Sequence, residues 1–511
     1  MPSSLWTATM QGIDAIPVAV EVDVSPGLGA VTVVGLADTA VQEARERVRA
    51  ALKNSNLPFP RQRVTINLAP ADLKKEGPRF DLPIALAILA AADETLPPIP
   101  QTWMLCGELG LDGSIRPVDG TIAIAVAARQ HGCTHLFIPQ ANAQEAALVE
   151  GISVIAVSTL AQLLDHLRGV SEITTTPTTM VGDTAATVSL ATDMAFVRGQ
   201  ESAKRAMEIA AAGGHNILLS GPPGSGKTML ARSIVSILPP MSRDEFLEVT
   251  RIYSVAGIPN NRRPALHARP FRNPHHTASD ISLIGGGAHP RPGEITLAHR
   301  GVLFLDELPE FGRDVLEALR QPLEDGMVTV ARAQMSVQYP AKFMFVASCN
   351  PCPCGFSGTG QKPCICSASQ ILRYQKKLSG PLLDRIDLVI DVPAVETEKL
   401  LASTVLGESS SQIRQRVIAA RSRQQDRFQG TGLFNNAEMT TPDVGRWCAL
   451  DDACRSMLAK AVDRYRLSAR SYMRILKVGR TIADLASEES IALPHLAEAL
   501  QYRPRLAETI A

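Results

Sequence analysis

At 511 residues the chain exceeds what one hydrophobic core ordinarily organises, so about two to four domains are expected, and 45% hydrophobic content supports globular folding. Basic and acidic side chains balance at 51 each, which excludes an overall basic excess as the mark of a nucleic-acid binder; any such surface must be local. The opening Met1-Pro2-Ser3-Ser4-Leu5-Trp6 has no basic region leading into an apolar core, and the longest apolar stretch, Leu82 to Ala92, is too short to span a bilayer. A cytoplasmic protein with no membrane partner is expected, its nine cysteines reduced thiols or metal ligands rather than disulfides.

In chain order, strand patterns at Val18 to Val24, Val31 to Val34 and Val64 to Leu68 mix with helical ones at Val41 to Leu52, Pro83 to Ala92 and Thr121 to His131. They predict an independent α/β or α+β domain over residues 1–172. Residues 173–192, polar and small from Ile173 to Thr192, read as a linker. A helix over Gln200 to Ala212 follows, with strands near 216–220, 302–305, 343–347 and 388–392 separated by helices, which predicts a mostly parallel α/β sheet over 193–393. Residues 394–511 carry helical patterns at Ser411 to Phe428, Asp451 to Tyr465, Arg470 to Ala486 and Pro494 to Tyr502, a helical lid. Residues 1–180 hold 12 basic against 18 acidic groups and the rest 39 against 33, so any cationic surface belongs to the second part.

Gly221-Pro222-Pro223-Gly224-Ser225-Gly226-Lys227-Thr228 fits the phosphate-binding pattern G-x-x-x-x-G-K-[ST], between the strand-like Asn216 to Ser220 and a helix opening at Met229. Its glycines let backbone N–H groups close on phosphate oxygens of ATP, and the helix N-terminus adds positive potential. Lys227 can reach the β and γ phosphates, and Thr228 with Asp306, at the end of Val302 to Leu305, can ligate Mg²⁺. Glu307 beside that acid can polarise water, which favours hydrolysis over storage.

Phe343 to Ala347 runs into Ser348-Cys349-Asn350, placing the Asn350 amide at a sheet edge where it can orient water or merely start the turn before Pro351. Arg385, in Leu382-Leu383-Asp384-Arg385-Ile386-Asp387, suits a neighbouring copy's nucleotide as a finger in trans, or pairs at the surface with Asp384 or Asp387. Cys352, Cys354, Cys364 and Cys366 could enclose a structural Zn²⁺ or stay as free thiols, since C-x-C is tighter than the usual C-x-x-C. The insertion from Ile252 to Ile295, with Arg272, His275, His276 and a Gly285-Gly286-Gly287 hinge, and a hairpin from Met327 to Tyr339 with Arg332 near its tip, are either pore loops gripping DNA or solvated loops. Arg414, Arg416, Arg421, Arg423 and Arg427 read as a solvated helix face.

Gly221 to Thr228, Gly301 to Phe311, Asn350 to Gly355 and Ser379 to Asp387 resemble the magnesium-chelatase-like AAA+ family of YifB and ComM over nearly the whole chain. The resemblance implies a Lon-protease-like (ribosomal S5 domain 2-like) N-terminal domain, a P-loop AAA+ core with inserted hairpins, and a C-terminal lid. It makes Asn350 sensor 1, Arg385 the trans finger, and Arg470 in Ser468-Ala469-Arg470 the sensor 2 contact to the γ phosphate in cis, with Arg474 competing one turn on. It further implies a hexameric homo-oligomer that drives branch migration on single-stranded or branched DNA in natural transformation; a chelatase-type remodeller of a protein partner is the alternative. Lon-type peptidases carry Ser in G-P-S-A-G and Lys after a later G-G-x-K, whereas Gly77-Pro78-Arg79-Phe80-Asp81 and Asp119-Gly120-Thr121-Ile122 stand here. Without the hydroxyl and its base, peptidase chemistry is not expected.

Overall fold

The structure, a computed structural model, describes residues 3–27, 29–93, 95–178, 193–258, 268–287, 291–332, 335–360, 362–378, 380–395 and 407–503. Most of the expected linker, residues 179–192, lies outside these, as do residues 259–267 and 288–290 of the expected insertion. The chain divides into two compact units, Met1–Asp183 with Arg243–Arg263, and Thr184–Ser242 with Pro264–Ala511.

The first unit is built on a seven-stranded mixed sheet. Its strands are β1 (Ser3–Gln11), β2 (Asp14–Ser25), β3 (Val31–Val34), β4 (Arg63–Ala69), β5 (Trp103–Leu105), β6 (His135–Pro139) and β7 (Ser153–Val157), in the order β3-β4-β2-β1-β5-β6-β7. A two-residue turn joins β1 to β2 antiparallel from Ser3↔Val22 to Gln11↔Asp14, and Gly12 takes the left-handed φ of 64° that such a turn needs. Helices α1 (Thr39–Asn54) and α2 (Asp81–Ala92) cover the sheet. Asp38 caps α1 by accepting from the Val41 N–H at 2.8 Å, and α2 is buried at nearly every position, as its unbroken apolar sequence requires. Helix α3 (Thr121–Gln130) packs against α4 (Arg243–Val255), which follows the nucleotide-loop helix in sequence yet belongs to this unit.

At the first of the two segments where a Lon-type peptidase needs its pair, Asp81 is buried and held by Arg47 through two hydrogen bonds of 2.8 and 2.9 Å, with the Leu109 N–H at 3.2 Å. Gly77-Pro78-Arg79 offers no nucleophile, and the nearby carboxylate is bound up in an ion pair.

The second unit holds a five-stranded, wholly parallel sheet, confirming the expected α/β class. Naming its strands β8 (Ile217–Ser220), β9 (Phe271–Arg272), β10 (Val302–Leu305), β11 (Met344–Cys349) and β12 (Leu388–Asp391), the order is β9-β10-β11-β8-β12. All residues of β10 and β11 are buried, which is why they read as unbroken apolar runs. The stretch taken as an insertion from Ile252 to Ile295 is not one loop. Phe271 pairs with Val302 and Arg272 with Leu303, so it supplies the sheet's edge strand, two residues being too few to show a period. Between β10 and β11 the expected hairpin is present, Met327–Arg332 against Met335–Pro340.

The longer C-terminal helices are α5 (Ser410–Arg427), α6 (Asp452–Tyr465), α7 (Ala469–Leu485) and α8 (Leu493–Gln501). The arginines of α5 do not form a solvated face. Arg416 pairs with Glu208 and Glu408, Arg421 donates to the Ala211 carbonyl at 3.1 Å, Arg423 to the Asp484 carbonyl at 3.2 Å, and Arg427 to the Asp484 carboxylate. They clamp α5 onto Glu201–Gly213 and α7, their aliphatic stems covering apolar surface while the heads find partners. Among the described residues no helix is long and apolar enough to cross a membrane.

Candidate nucleotide-binding site

Strand β8 ends at Ser220, and the loop Gly221 to Gly226 turns the chain into the helix Lys227–Ile237. Gly224 and Gly226 adopt φ of 76° and 89°, the left-handed values that aim successive N–H groups into one concavity. The loop lines a cleft of about 420 Å³ with Pro223, Gly224, Ser225, Gly226, Lys227, Thr228, Met229, Asp306, Glu307 and Asn350, a size in the range of small-ligand sites. The phosphate loop and two strand ends, with Lys227 and Asn350 123 residues apart, thus converge as the sequence pattern requires.

Within the cleft, the Thr228 hydroxyl donates to Asp306 Oδ2 at 2.8 Å. A hydroxyl and a carboxylate side by side are the hard-oxygen donors Mg²⁺ prefers, so the residues fit that ion. The Lys227 ammonium donates to the Gly221 and Pro222 carbonyls, both at 2.8 Å, and to Asn350 Oδ1 at 3.2 Å. Burial lowers its pKa, opposed by Cys349, Asp306 and Glu307; a polyphosphate alongside would favour its charged form. Glu307 sits at φ 53°, a left-handed value uncommon for a side chain with a Cβ, the second residue after β10.

Ser348 holds this strained corner. Its Oγ accepts from the Glu307 N–H at 3.0 Å and donates to Asp306 Oδ1. The sequence does not single it out, because in Ser348-Cys349-Asn350 only the amide suggests chemistry.

The arginines lie elsewhere. Arg385 and Arg470 both pair with Glu324, of the short helix Arg320–Asp325, Arg470 Nη2 reaching Oε1 at 2.7 Å and Arg385 holding Oε2. Neither lines the cleft. Arg385 pairs with Glu324 rather than with Asp384 or Asp387, and Arg470 is held by the same carboxylate. Arg474 is buried and donates to the Ile386 and Leu383 carbonyls at 2.5 and 3.3 Å. The Arg385 loop is anchored from below. Asn216 donates to the Arg385 carbonyl at 2.8 Å and accepts from the Phe345 N–H at 2.9 Å, while its own N–H meets Asp387 at 3.0 Å.

Of the residues expected on DNA, Arg272 places both ends of its fork on Glu294 at 2.6 Å, which makes it a strut between β9 and the helix Glu294–Leu297. His275 is exposed and bonds Thr277 at 2.8 Å, its ring 4.1 Å from that of His276, which meets Phe311 edge-on. The side chain of Arg332 lies outside the described residues. Among the described residues the single group of three or more metal-ligating side chains is Cys352, Cys354, Cys364 and Cys366.

Three family descriptions match: "Magnesium chelatase, subunit ChlI" over residues 193–400, "Subunit ChlI of Mg-chelatase" over 20–142, and "Magnesium chelatase, subunit ChlI C-terminal" over 407–503. Along 502 residues the chain is 43% identical to the uncharacterized protein YifB of Escherichia coli, covering 98% of this chain and 97% of that one. It is 44% identical to the competence protein ComM of Haemophilus influenzae with the same coverage. A shorter likeness, 34% over 100 residues and about a fifth of either chain, is to Lon protease 2 of Bacillus subtilis. End-to-end similarity at this level, on a parallel sheet carrying a phosphate-binding loop and an acidic strand end, makes the chain a member of the magnesium-chelatase-like AAA+ family of YifB and ComM.

Proposed function

We propose that the chain is an ATP-hydrolysing ring motor that acts on single-stranded or branched DNA, driving branch migration during recombination and natural transformation. The observation that carries the reading is the cleft itself, with loop, Mg²⁺ ligands and acidic base in place yet no arginine among the described residues that line it. Arg385 then serves the cleft of an adjacent copy, which calls for a closed homo-oligomer such as a hexamer, while Arg470 is the arm that reaches the γ phosphate in cis. Gly224, Gly226 and Lys227 hold the phosphates of ATP, Thr228 and Asp306 the Mg²⁺, and Glu307 takes the proton of the attacking water while Asn350 orients it. The bound Mg²⁺ supplies charge neutralisation on the phosphates.

Glu324 stands at the end of the helix that leads into the Met327–Pro340 hairpin, so release of Arg385 by a neighbour's nucleotide would be felt at that hairpin. The hairpin is the part we assign to gripping DNA. The DNA substrate rests on the relative named a competence protein. Domain limits follow the same reading, with a Lon-like domain over 1–172, a linker, an ATPase core over 193–393 and a lid over 394–511. A second reading, a remodeller of a protein partner, draws on the chelatase descriptions that the chain matches.

The deciding experiment measures ATPase rate with single-stranded and branched DNA at increasing salt. Stimulation that falls steeply with salt is expected, because phosphate contacts release counterions. No binding and no stimulation by either DNA at low salt would overturn the DNA reading and leave the remodeller.

A further inference from the structure

We propose that Cys352, Cys354, Cys364 and Cys366 bind one structural zinc ion, and that this metal fixes the wall of the nucleotide cleft running from Asn350 to Gly355. All four sulfurs lie within 4.8 Å of one another. Cys352 to Cys354 is 3.4 Å, Cys352 to Cys364 3.7 Å and Cys354 to Cys364 3.6 Å. A tetrahedral Zn²⁺ with Zn–S bonds of about 2.3 Å sets its ligand sulfurs about 3.8 Å apart, so the thiols already stand near the corners of that figure. A disulfide would draw two sulfurs to about 2.05 Å and leave the other pair unexplained; all four are free. The Ser357 N–H points at Cys352 Sγ at 3.3 Å, a donor suited to a thiolate's charge.

The surrounding chain needs such a staple. Between Pro353 and Ser367 Gly355 is the one buried position among the described residues, and Ile365, between two of the cysteines, is 86% exposed. A segment with no apolar core is held by a crosslink or not at all. Binding is not a redox step: four Zn–S bonds form, four S–H protons leave to solvent, and the ion stays divalent.

The position of the cluster supplies its purpose. Cys352 is fully buried, two residues past Asn350, whose Oδ1 accepts from Lys227. Gly355, at φ 85°, presses so closely on the phosphate loop that a Cβ there would come within 2.4 Å of Pro223 Cδ. The metal therefore braces one side of the loop and the Asn350 amide together. This second half rests on reading the cleft as an ATP site; the metal itself does not.

The test uses the full chain purified without chelator or added metal. Elemental analysis should find one zinc per chain, and the four thiols should resist a disulfide reagent until the zinc is stripped. Because Cys352→Ser could unfold the buried turn, the companion variant is Cys364→Ser with Cys366→Ser on the exposed limb, expected to lose the zinc while keeping the remaining secondary structure. Affinity for a fluorescent non-hydrolysable ATP analogue should fall about tenfold on stripping, the scale of one lost hydrogen bond to a charged group, and return with Zn²⁺. No zinc above the buffer blank, even after reconstitution under reducing conditions, overturns the metal site, and iron in its place overturns the zinc assignment. Zinc present with unchanged nucleotide affinity after stripping overturns the bracing. Failure of the zinc-replete chain to bind the analogue instead overturns the reading of the cleft.

Discussion

Replacing Ser348 by alanine removes a single oxygen from a strand buried at all six positions, with no change in charge and little in volume. Two things are lost together. Asp306 keeps the Thr228 hydroxyl on Oδ2 but loses the donor on Oδ1, and the Glu307 N–H loses its acceptor where the backbone is held at φ 53°. Leaving a buried polar group without a partner costs about 1–3 kcal/mol, so the corner relaxes by letting residue 307 rotate toward an ordinary backbone angle. That rotation carries the carboxylate of the base away from its place in the cleft. Losing the outer partner of a metal-binding carboxylate typically costs about 10–100-fold in metal affinity or activity, and the same range is expected here. Steady-state ATPase measured across a Mg²⁺ titration should show lower kcat and a midpoint shifted to higher Mg²⁺, while nucleotide binding without Mg²⁺ stays near the wild-type value. A stably folded Ser348→Ala with unchanged kcat and unchanged Mg²⁺ dependence would refute the reasoning.

Glu307→Gln should retain nucleotide binding and lose about 10²–10⁴-fold in turnover, the usual worth of a general base; hydrolysis at a tenth of the wild-type rate or more would show that another group does this work. Equimolar mixing of Arg385→Ala with Lys227→Ala chains, each inactive alone, should restore about a quarter of wild-type ATPase, since a random ring pairs an intact loop with an intact finger at about one boundary in four. Activity no higher than either parent would place Arg385 outside the chemistry. Burial pushes the Asp387 carboxyl up, but His215, Arg474 and the Asn216 N–H outweigh it and leave its pKa below the ordinary value. Its contribution to stability is thus fully present above about pH 4 and disappears as pH falls through the lower folded value. Chemical unfolding of wild type and Asp387→Asn should differ by a constant amount near neutrality and converge in acid; an unchanged gap at pH about 2 would contradict this.

The phosphate loop and the Val302 to Leu305 strand were legible because close backbone approach demands glycine and a strand buried on both faces must be apolar throughout. The same logic fails for Phe271–Arg272, whose two residues define no period, so the edge strand was hidden inside what read as a loop. The arginines of Ser410–Arg427 were misread since charge spacing on a helix is identical for a face in water and a face that clamps. What decides is whether Glu208 and Asp484, remote in sequence, come alongside. The motif locates Arg470, but no spacing rule reports that Glu324 holds it. Ser348 carries no signature of its own; its role exists only once the β10 and β11 strands lie side by side.

Gly221 admits no side chain for a reason outside phosphate binding. A Cβ there would stand 2.2 Å from the Val392 carbonyl, and the Val392 N–H in turn bonds the Ser220 carbonyl at 2.6 Å. The first residue of the loop and the last of the sheet's exit path are thereby seated like two teeth of one gear. A shift that a nucleotide imposes on the loop therefore presses directly on Val392, the first residue past β12.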